Sequence, residues 1–330
     1  MKTRTFGNTD IEVTPVGLGT WAIGGWMWGG TDEAQSIDTI HAAIDQGIAL
    51  VDTAPVYGFG RSEEIVGKAL AGGRRDKVAL ATKVALNWDD DENVVRDARA
   101  NRIQQEVEDS LRRLQTDTID IYQIHWPDPA TPMEETAKAM EKLLRDGKIR
   151  AIGVSNFTPE QMDEFRKFAP LHSLQPPYNL FERDIEDSIL PYCRNTDLAT
   201  ITYGGLCRGL LSGKMSRNSR FEGDDLRNND PKFQGDRFNQ YLGAVDALDQ
   251  YARDKFDKNV LALALRWLID QPGVTTALWG ARRPDQLKPI SDIEGWSLSE
   301  RDMEAIDDIL TEFINDPVGP EFMAPPSRQD

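Results

Sequence analysis

The chain has little cysteine, little histidine and no long apolar run, and each shortage removes a class of protein. It has two cysteines and three histidines among 330 residues. Two cysteines argue against a disulfide framework, and we interpret Cys193 and Cys207 as packed thiols in a reducing compartment. No stretch reaches the roughly 20 apolar residues that a membrane helix needs. The opening residues lack the apolar core of a signal peptide, so we expect a cytoplasmic protein.

Positive charge is also scarce. The chain carries 38 Lys and Arg residues against 55 Asp and Glu residues, which gives a formal net charge of −17. This excess of negative charge argues against nucleic acid or an anionic membrane as a partner. No His-x-His pair or Cys and Glu cluster has metal-ligand spacing, so we predict no metal site. A small molecule remains the expected partner, and the oligomeric state stays open.

Short β-type runs alternate with helical patterns along the whole chain. The runs are mostly continuous in apolar character, as expected for parallel strands covered on both faces. Helical spacing of apolar residues is clearest over Glu33–Gln46 and Arg96–Gln115. The eight predicted strands are Gly17–Trp21, Ala49–Asp52, Val78–Lys83, Ile119–His125, Ile149–Ser155, Ser173–Gln175, Ala199–Tyr203 and Thr275–Trp279. Eight such units predict the α/β class and a single (β/α)8 TIM barrel domain over residues 1–330.

A doubly wound sheet is the competing fold. It normally carries a G-x-G-x-x-G fingerprint after its first strand, and the segment GLGTWAIGGWMWGG lacks that spacing. Three segments fall outside the barrel repeat. The opening KTRTFGNTDIEVTP predicts a β-hairpin that closes the lower end of the barrel. Residues Gly204–Arg237 predict a long polar loop after strand seven, and the proline-rich tail Asn315–Asp330 is expected to be irregular.

Four chemically active residues stand at or just beyond the ends of predicted strands: Asp52, Tyr57, Lys83 and His125. The C-terminal ends of barrel strands converge on one pocket, so these side chains form a candidate proton-transfer set. A buried ammonium needs a partner, and Asp52 is the expected partner of Lys83. Two alternatives stay open: a purely structural ion pair, and an aldolase in which Lys83 forms a Schiff base.

Tyr57 is the expected proton carrier of the set. A nearby ammonium favours phenolate, so we expect its pKa to lie below the ordinary value of about 10. A reduction of two to three pKa units corresponds to roughly 3–4 kcal/mol. One cation in a partly desolvated site can supply energy of that order.

Four segments together resemble the signatures of the aldo-keto reductase superfamily, over essentially the whole chain. They are DTAPVYGFGRSEEIVGKAL, SLRRLQTDTIDIYQIHWPD, GKIRAIGVSNF and YGGLCRGLLSGK. The branch that this chain resembles is that of bacterial general-stress and sugar-aldehyde reductases. The resemblance implies reversible, NADPH-dependent reduction of an aldehyde or ketone, with direct hydride transfer from the nicotinamide. Another possibility is a dinucleotide-binding regulatory or redox-sensing subunit with slow turnover.

The resemblance also implies a role for each member of the set. Tyr57 would be the general acid in reduction and the general base in oxidation. Lys83, held by Asp52, would tune Tyr57, and His125 would orient the substrate carbonyl.

Cofactor residues follow from the same resemblance. Ser155, Asn156 and Gln175 match positions that hydrogen-bond the nicotinamide carboxamide, and Tyr203 matches the ring that stacks on the nicotinamide. The segment after strand seven matches a pyrophosphate loop. Its implied ligands are Gly204, Leu206, Arg208, Gly209, Ser212 and Lys214.

The segment GARRPDQL after strand eight is the second implied anion site. Gly280 opens it, and Arg282 is the candidate for the 2′-phosphate of NADPH, with Gln286 beside it. NADH is therefore the less favoured cofactor. Pro289 and Ile290 depart from the family, where many members carry Glu and Asn that bind adenine.

Five tryptophans are predicted to line the substrate pocket, because indole rings are rarely buried completely and often form recognition surfaces. They are Trp21, Trp26, Trp28, Trp88 and Trp126. Indoles stack on sugars as readily as they pack on apolar ketones, so they do not identify the substrate.

Overall fold

Eight short strands form a closed barrel in the computed structural model, which describes residues 1–328. Each strand pairs in parallel with its neighbours in the sequence, and the last strand pairs with the first. Numbered along the chain, the barrel strands are β1 Val16–Gly19, β2 Leu50–Asp52, β3 Ala79–Val84, β4 Ile119–Ile124, β5 Ile149–Ser155, β6 Ser173–Gln175, β7 Ala199–Thr202 and β8 Thr276–Gly280. The predicted (β/α)8 barrel is confirmed.

Helices cover the outside of the barrel, and several begin at the side-chain caps that their sequences provide. The α-helices are α1 Trp21–Gly24, α2 Glu33–Asp45, α3 Arg61–Leu70, α4 Ala100–Leu114, α5 Met133–Arg145, α6 Pro159–Arg166, α7 Ile189–Asn195, α8 Gly235–Phe256, α9 Val260–Asp270 and α10 Glu300–Phe313. Short 3-10 helices span Arg75–Lys77, Asp184–Glu186, Leu210–Ser212, Leu226–Asn228, Pro231–Phe233, Pro284–Ile293 and Glu321–Met323. At the start of α6, the Thr158 side chain accepts from the Gln161 amide, and the Gln161 side chain accepts from the Thr158 amide. This capping box satisfies backbone amides that the first turn of the helix leaves free.

The core has an inner and an outer layer. Between strands and helices, buried residues such as Leu18 and Leu80 belong to one continuous apolar cluster. Inside the barrel, Leu50 and Ile121 pack with Phe6 from the N-terminal hairpin. That hairpin pairs Arg4–Thr5 with Glu12–Val13, and it closes the lower end of the barrel as predicted. The site therefore has to form at the opposite, C-terminal end.

Two predicted boundaries are wrong. β1 ends at Gly19, and Trp21 begins α1 instead of ending the strand. The predicted helix over Arg96–Gln115 begins only at Ala100, because Arg96 belongs to a strand, Val94–Arg96, that pairs with Leu86–Trp88. The extended backbone at Arg96 is held by the tail, since its amide donates to the carbonyl oxygen of Pro326 at 3.0 Å.

The long insert after β7 and the tail contact each other. The insert contains three short 3-10 helices, and its last predicted residues already belong to α8, which begins at Gly235. Lys232 Nζ donates to the carbonyl oxygen of Gly319 in the tail at 3.0 Å. The tail is irregular apart from one 3-10 turn, and its predicted last residues, Gln329 and Asp330, lie outside the described part. Within residues 1–328, no helix combines the length and apolar character that membrane crossing requires.

Candidate functional site

The four predicted catalytic residues meet at the C-terminal end of the barrel. Asp52 ends β2, and Lys83 is the penultimate residue of β3. Lys83 Nζ donates to Asp52 Oδ1 at 2.5 Å, to the Thr53 carbonyl at 3.0 Å and to the Tyr57 hydroxyl at 3.1 Å. The rings of Tyr57 and His125 meet edge to face, with centroids 5.7 Å apart. The four groups therefore form one continuous chain of contacts.

The turn that carries Tyr57 is held by an unusually close backbone approach. A Cβ at Gly24 would lie 2.4 Å from the Tyr57 carbonyl oxygen, and one at Gly58 would lie 2.2 Å from the Gly24 carbonyl oxygen. Gly58 also has a φ of 70°, which few other residues adopt at low cost. Beneath the turn, the Thr20 and Ser62 hydroxyls are 2.8 Å apart and join β1 to α3. These contacts explain why α1 begins where a longer strand was predicted.

The environment assigns opposite charge states to Lys83 and His125. Burial lowers the pKa of Lys83, but Asp52 and Tyr57 outweigh burial, and the net pKa is raised from its ordinary value. Lys83 therefore remains an ammonium. Burial and the neighbouring Lys83 lower the pKa of His125 well below its usual range. His125 is a neutral imidazole at pH 7, with one ring N–H to donate.

The predicted direction for Tyr57 is wrong. Burial is the largest influence and raises the pKa of its phenol; Lys83 lowers it, and Asp52 raises it further. The expected lowering of the pKa gave more weight to the cation than to the burial of the phenol. Tyr57 is consequently protonated at neutral pH, which is the form that a general acid requires.

The second carboxylate oxygen of Asp52 is held by two glutamines. Gln123 Nε2 donates to Oδ2 at 3.1 Å, and Gln175 Nε2 donates to the same oxygen at 2.9 Å. Gln175 was predicted to hydrogen-bond the nicotinamide carboxamide, whereas Gln123 was not among the predicted site residues. A signal was available: Gln123 lies two residues before His125 in an apolar strand, so that both side chains leave the same face.

The predicted nicotinamide residues are brought together at the ends of β5 to β7. Asn156 Nδ2 donates to Ser155 Oγ and to the His125 carbonyl oxygen, each at 3.0 Å. The Tyr203 hydroxyl donates to Asn156 Oδ1 at 2.9 Å. Ser155 Oγ donates in turn to the Gln175 carbonyl oxygen at 2.7 Å. This network lies directly beside the four catalytic candidates.

The predicted pyrophosphate loop is a series of tight turns. Gly204, Gly209 and Gly213 all have positive φ angles, and Leu206 packs against the outer core. Ser212 Oγ caps the Gly209 carbonyl oxygen at 2.6 Å. Of its cations, Lys214 is exposed; the pKa of Asp285 is lowered mainly by the hydrogen bond from Arg283 and to a smaller extent by the charge of Lys214. The loop is therefore adjacent to the segment that follows β8.

The assignment of Arg208 to the pyrophosphate is wrong. Its guanidinium donates to Glu182 Oε1 at 2.5 Å and to Asp230 Oδ2 at 2.8 Å, with 3% of the side chain exposed. Lys232 Nζ lies 2.8 Å from the same Glu182 oxygen. We call these four residues the Lys232 cluster. Positive φ angles at Cys207 and Arg208 accompany this inward turn, so the guanidinium is occupied by protein carboxylates.

The segment after β8 keeps its predicted arginine at the rim. Arg282 donates to the carbonyl oxygens of Trp28 and Gly30, both at 2.8 Å. Gln286 Oε1 accepts from the amides of Arg282 and Arg283, at 2.7 and 3.1 Å. Arg282 therefore fastens the loop that follows α1, and Oε1 of Gln286 shapes the turn. Gly280 ends β8 with open space where a side chain would stand.

Two of the predicted tryptophans are linked to Tyr57 by ring contacts, Trp21 directly and Trp28 through Trp21. Trp21 stacks on Tyr57, with centroids 5.9 Å apart and planes inclined by 20°. Trp28 meets Trp21 edge to face at 5.7 Å. The indole nitrogens of both are buried without a hydrogen-bond partner anywhere in residues 1–328. Buried donors of this kind suit a bound molecule that offers acceptor oxygens.

The other three tryptophans form a separate group. Trp26 and Trp88 both contact Phe59, with centroids 5.1 and 5.6 Å apart. Trp126 lies beneath the guanidinium of Arg96, 5.2 Å from the ring centroid. All three pack on the same small apolar cluster as Tyr57. The five tryptophans therefore form two groups, and both reach the surroundings of Tyr57.

The described residues contain no group of three or more His, Cys, Asp and Glu side chains placed to bind a metal ion. The arrangement instead offers a protonated phenol, a neutral imidazole and a fixed ammonium beside a polar, glycine-rich rim. It can donate a proton to an oxygen atom and stabilise the resulting phenolate.

Comparison with known proteins agrees with this chemistry. The model of the Aldo/keto reductase family matches residues 15–311. Aldo-keto reductase YhdN of Bacillus subtilis is 60% identical over the full length of both chains. The NADH-specific methylglyoxal reductase of Escherichia coli is 36% identical, over 87% of this chain and 92% of its own. Among solved structures, the glycerol dehydrogenase AKR11B4 from Gluconobacter oxydans matches with a TM-score of 0.88 and 55% identity, covering 98% of this chain and 99% of its own.

Proposed function

This chain belongs to the aldo/keto reductase family, and we propose that it reduces an aldehyde or ketone to the alcohol, reversibly, with NADPH. The observation that carries the proposal is the contact chain from Asp52 through Lys83 to Tyr57, with His125 against the phenol. Proton transfer to an oxygen is the chemistry that such a chain performs.

The residues divide the proton chemistry between them. Tyr57 gives its hydroxyl proton to the carbonyl oxygen, and Lys83, 3.1 Å from that hydroxyl, stabilises the phenolate that is left. Neutral His125 donates its ring N–H to the same carbonyl oxygen and fixes its direction. When bound, a reduced nicotinamide supplies hydride directly to the carbonyl carbon. In alcohol oxidation, the Tyr57 phenolate accepts the hydroxyl proton.

The residues present fit a dinucleotide. Ser155, Asn156 and Gln175 offer a polar network beside the proton carrier, and the unpaired indole N–H groups of Trp21 and Trp28 offer further donors. Arg282 supports the preference for NADPH, because a guanidinium at the rim can bind a 2′-phosphate. One relative is named for NADH, so that cofactor is the competing outcome of the test.

The substrate class follows from the pocket and the relatives. The named activities of two similar proteins concern methylglyoxal and glycerol, which are small and polar. The indole rings around Tyr57 suit small polar carbonyls, because tryptophan packs on C–H surfaces beside hydrogen-bonding groups. We propose short aldehydes or ketones with a neighbouring oxygen, and the corresponding polyols in the reverse direction.

An aldolase mechanism is disfavoured by the state of Lys83. Its ammonium is completely buried and donates to three acceptors, and its raised pKa keeps it protonated. A Schiff-base lysine needs a neutral amine. A regulatory subunit would keep the dinucleotide site but turn over slowly. The measured turnover rate therefore distinguishes it from a reductase.

The test is fluorescence titration with NADPH and NADH, followed by turnover in the wild type and Tyr57→Phe. Methylglyoxal and glyceraldehyde are reduced with NADPH or NADH, and glycerol is oxidised with NADP+ or NAD+. We expect tighter binding of NADPH and measurable reduction. Tyr57→Phe should lose about 10²–10⁴-fold in turnover, the usual contribution of general acid catalysis, with NADPH affinity close to wild type.

The matched control is Tyr251→Phe, which removes a hydroxyl that donates to Asp302 on α10, on the outside of the barrel. Its turnover should equal that of the wild type. A Tyr57→Phe enzyme that keeps most of its turnover would exclude Tyr57 as the acid. Tight dinucleotide binding without turnover of any carbonyl would favour the regulatory subunit.

A further inference from the structure

The interior of the barrel holds a polar side chain, that of Gln123, which has no role in the predicted site or in the proposed proton transfer. Gln123 lies on β4, is completely buried, and stands opposite Lys83 in the pairing of β3 with β4. On its other side, β5 presents Gly153, where a Cβ would lie 2.8 Å from Gln123 Cγ. The glycine therefore makes the space that the amide occupies.

Gln123 closes a ring of hydrogen bonds around one carboxylate. Its Nε2 donates to Asp52 Oδ2 at 3.1 Å, and its Oε1 accepts from Gln175 Nε2 at 3.2 Å. Gln175 Nε2 donates to the same Asp52 oxygen at 2.9 Å. The two glutamines donate to Oδ2, whereas Oδ1 of Asp52 accepts from Lys83 at 2.5 Å. All four side chains are more than nine-tenths buried.

We propose that Gln123 is a positioning residue for carbonyl reduction, which together with Gln175 fixes Asp52 so that Lys83 is aimed at Tyr57. The inference rests on the proposed function. With Oδ2 held by two amides, rotation of the carboxylate is blocked, and Oδ1 has one direction in which to accept from Lys83. The ammonium then lies within 3.1 Å of the phenol oxygen.

Amides are the suitable donors for this position. Each supplies an N–H to the carboxylate without adding a charge beside Lys83, so the electrostatic balance of the site is unchanged. A third charged group there would have to be desolvated and paired in turn. Since Gln175 also lies beside Ser155 and Asn156, the same ring connects the proton carrier to the predicted nicotinamide site.

The acidity of Tyr57 should respond to Gln123. The phenol is faced by Asp52 from β2, Lys83 from β3, His125 after β4 and Tyr203 after β7. Burial raises the pKa of Tyr57 and Lys83 opposes this increase. If Asp52 can rotate and Lys83 follows it away from the phenol, that opposition weakens and the pKa of Tyr57 rises further.

The experiment compares Gln123→Met with Ser173→Ala. Methionine keeps the length of glutamine but donates no hydrogen bond. Ser173 is a buried barrel residue two positions before Gln175, and its hydroxyl has no partner in residues 1–328. We expect Gln123→Met to lower kcat by about 10–100-fold, as a small misplacement of a catalytic group does, with little change in KM. Its alcohol oxidation should also begin to rise at higher pH than in the wild type, whereas Ser173→Ala should match the wild type.

A second readout needs neither substrate nor cofactor. Tyrosine labelled at Cζ gives an NMR resonance that reports hydrogen bonding at the hydroxyl, and Tyr57→Phe identifies the resonance of Tyr57. We expect that resonance to move in Gln123→Met and to stay in place in Ser173→Ala. Failure of the wild type to reduce any carbonyl would overturn the proposed function, but this resonance would still test the placement of Lys83.

A third variant covers the case in which Gln123→Met does not fold. In Gln123→Glu, a protonated carboxyl can still donate to Asp52, and an ionised one repels it. Activity should therefore be close to wild type at low pH and fall as the introduced carboxyl ionises. If the folded variants keep the wild-type pH profile and the Tyr57 resonance does not move, Gln123 is only a packing residue.

Discussion

Lys83 and Lys232 are both completely buried in segments at the C-terminal end of the barrel, and each is paired with a carboxylate. Their surroundings differ in one respect. The third acceptor of Lys83 is the hydroxyl of Tyr57, a half-buried residue whose ring meets that of His125. Lys232 donates to a backbone carbonyl of the tail, and its other polar partners within residues 1–328 are the carboxylates of its cluster.

The comparison shows what separates a chemical site from a structural one in this protein. Both ammonium groups are costly to bury and are compensated by negative partners. Of the two, only Lys83 lies beside a group, the Tyr57 hydroxyl, that exchanges a proton with a bound molecule in the proposed reaction. The Lys232 cluster instead joins the insert, the loop after β6 and the tail, so its charge is used to fix the shape of the rim.

Replacing Lys83 should have the largest effect. In Lys83→Met, Tyr57 loses the ammonium that stabilises its phenolate, and we expect turnover to fall by at least about 10²-fold, in the range of a lost general acid. Asp52 keeps the amide donors of Gln123 and Gln175, so a folded protein is expected. Turnover normalised to the folded fraction is the measurement. A variant with wild-type turnover would remove the distinction between the two lysines.

The matched change, Lys232→Met, should affect stability and spare the chemistry. Removing one partner of a buried ion pair typically costs about 3–5 kcal/mol. Glu182 keeps its two hydrogen bonds from Arg208, so we expect the lower end of that range. Denaturant unfolding of both variants checks the cost, and turnover per folded molecule should stay at the wild-type level for Lys232→Met. A loss of turnover as large as that of Lys83→Met would contradict a purely structural role.

The strand-end residues were predictable for a physical reason. A strand sends alternate side chains to opposite faces, and parallel barrel strands all end on one rim. Asp52, Lys83 and His125 could therefore be placed together before any coordinates. The direction of the Tyr57 pKa could not, because it depends on how completely the phenol is removed from water. Gln123 was within reach of the same argument, since it shares a face with His125.

The rim was less predictable because loop backbones follow no period. Arg208 looked like an anion ligand in a glycine-rich segment, but left-handed backbone at Cys207 and Arg208 turns it toward Glu182. Its partners, Asp230 and Glu182, lie 22 and 26 positions away, beyond the reach of a local pattern. Arg282 was placed at the rim correctly, yet its contacts with the Trp28 and Gly30 carbonyls depend on a loop more than 250 positions earlier.

Arg282 gives the smallest expected effect and tests whether the rim takes any part in binding. In Arg282→Ala we expect NADPH affinity to fall by about 10- to 100-fold, because a hydrogen bond to a charged group contributes about 1.5–3 kcal/mol. NADH affinity should fall less, since NADH lacks the 2′-phosphate. The control is Arg283→Ala, whose guanidinium is half exposed and already paired with Asp285, so its loss should be smaller. Equal losses for both cofactors in Arg282→Ala would mean that Arg282 acts only by fastening the Trp28–Gly30 loop. Arg282 would then only hold the shape of the rim, which is the role that we assign to Lys232.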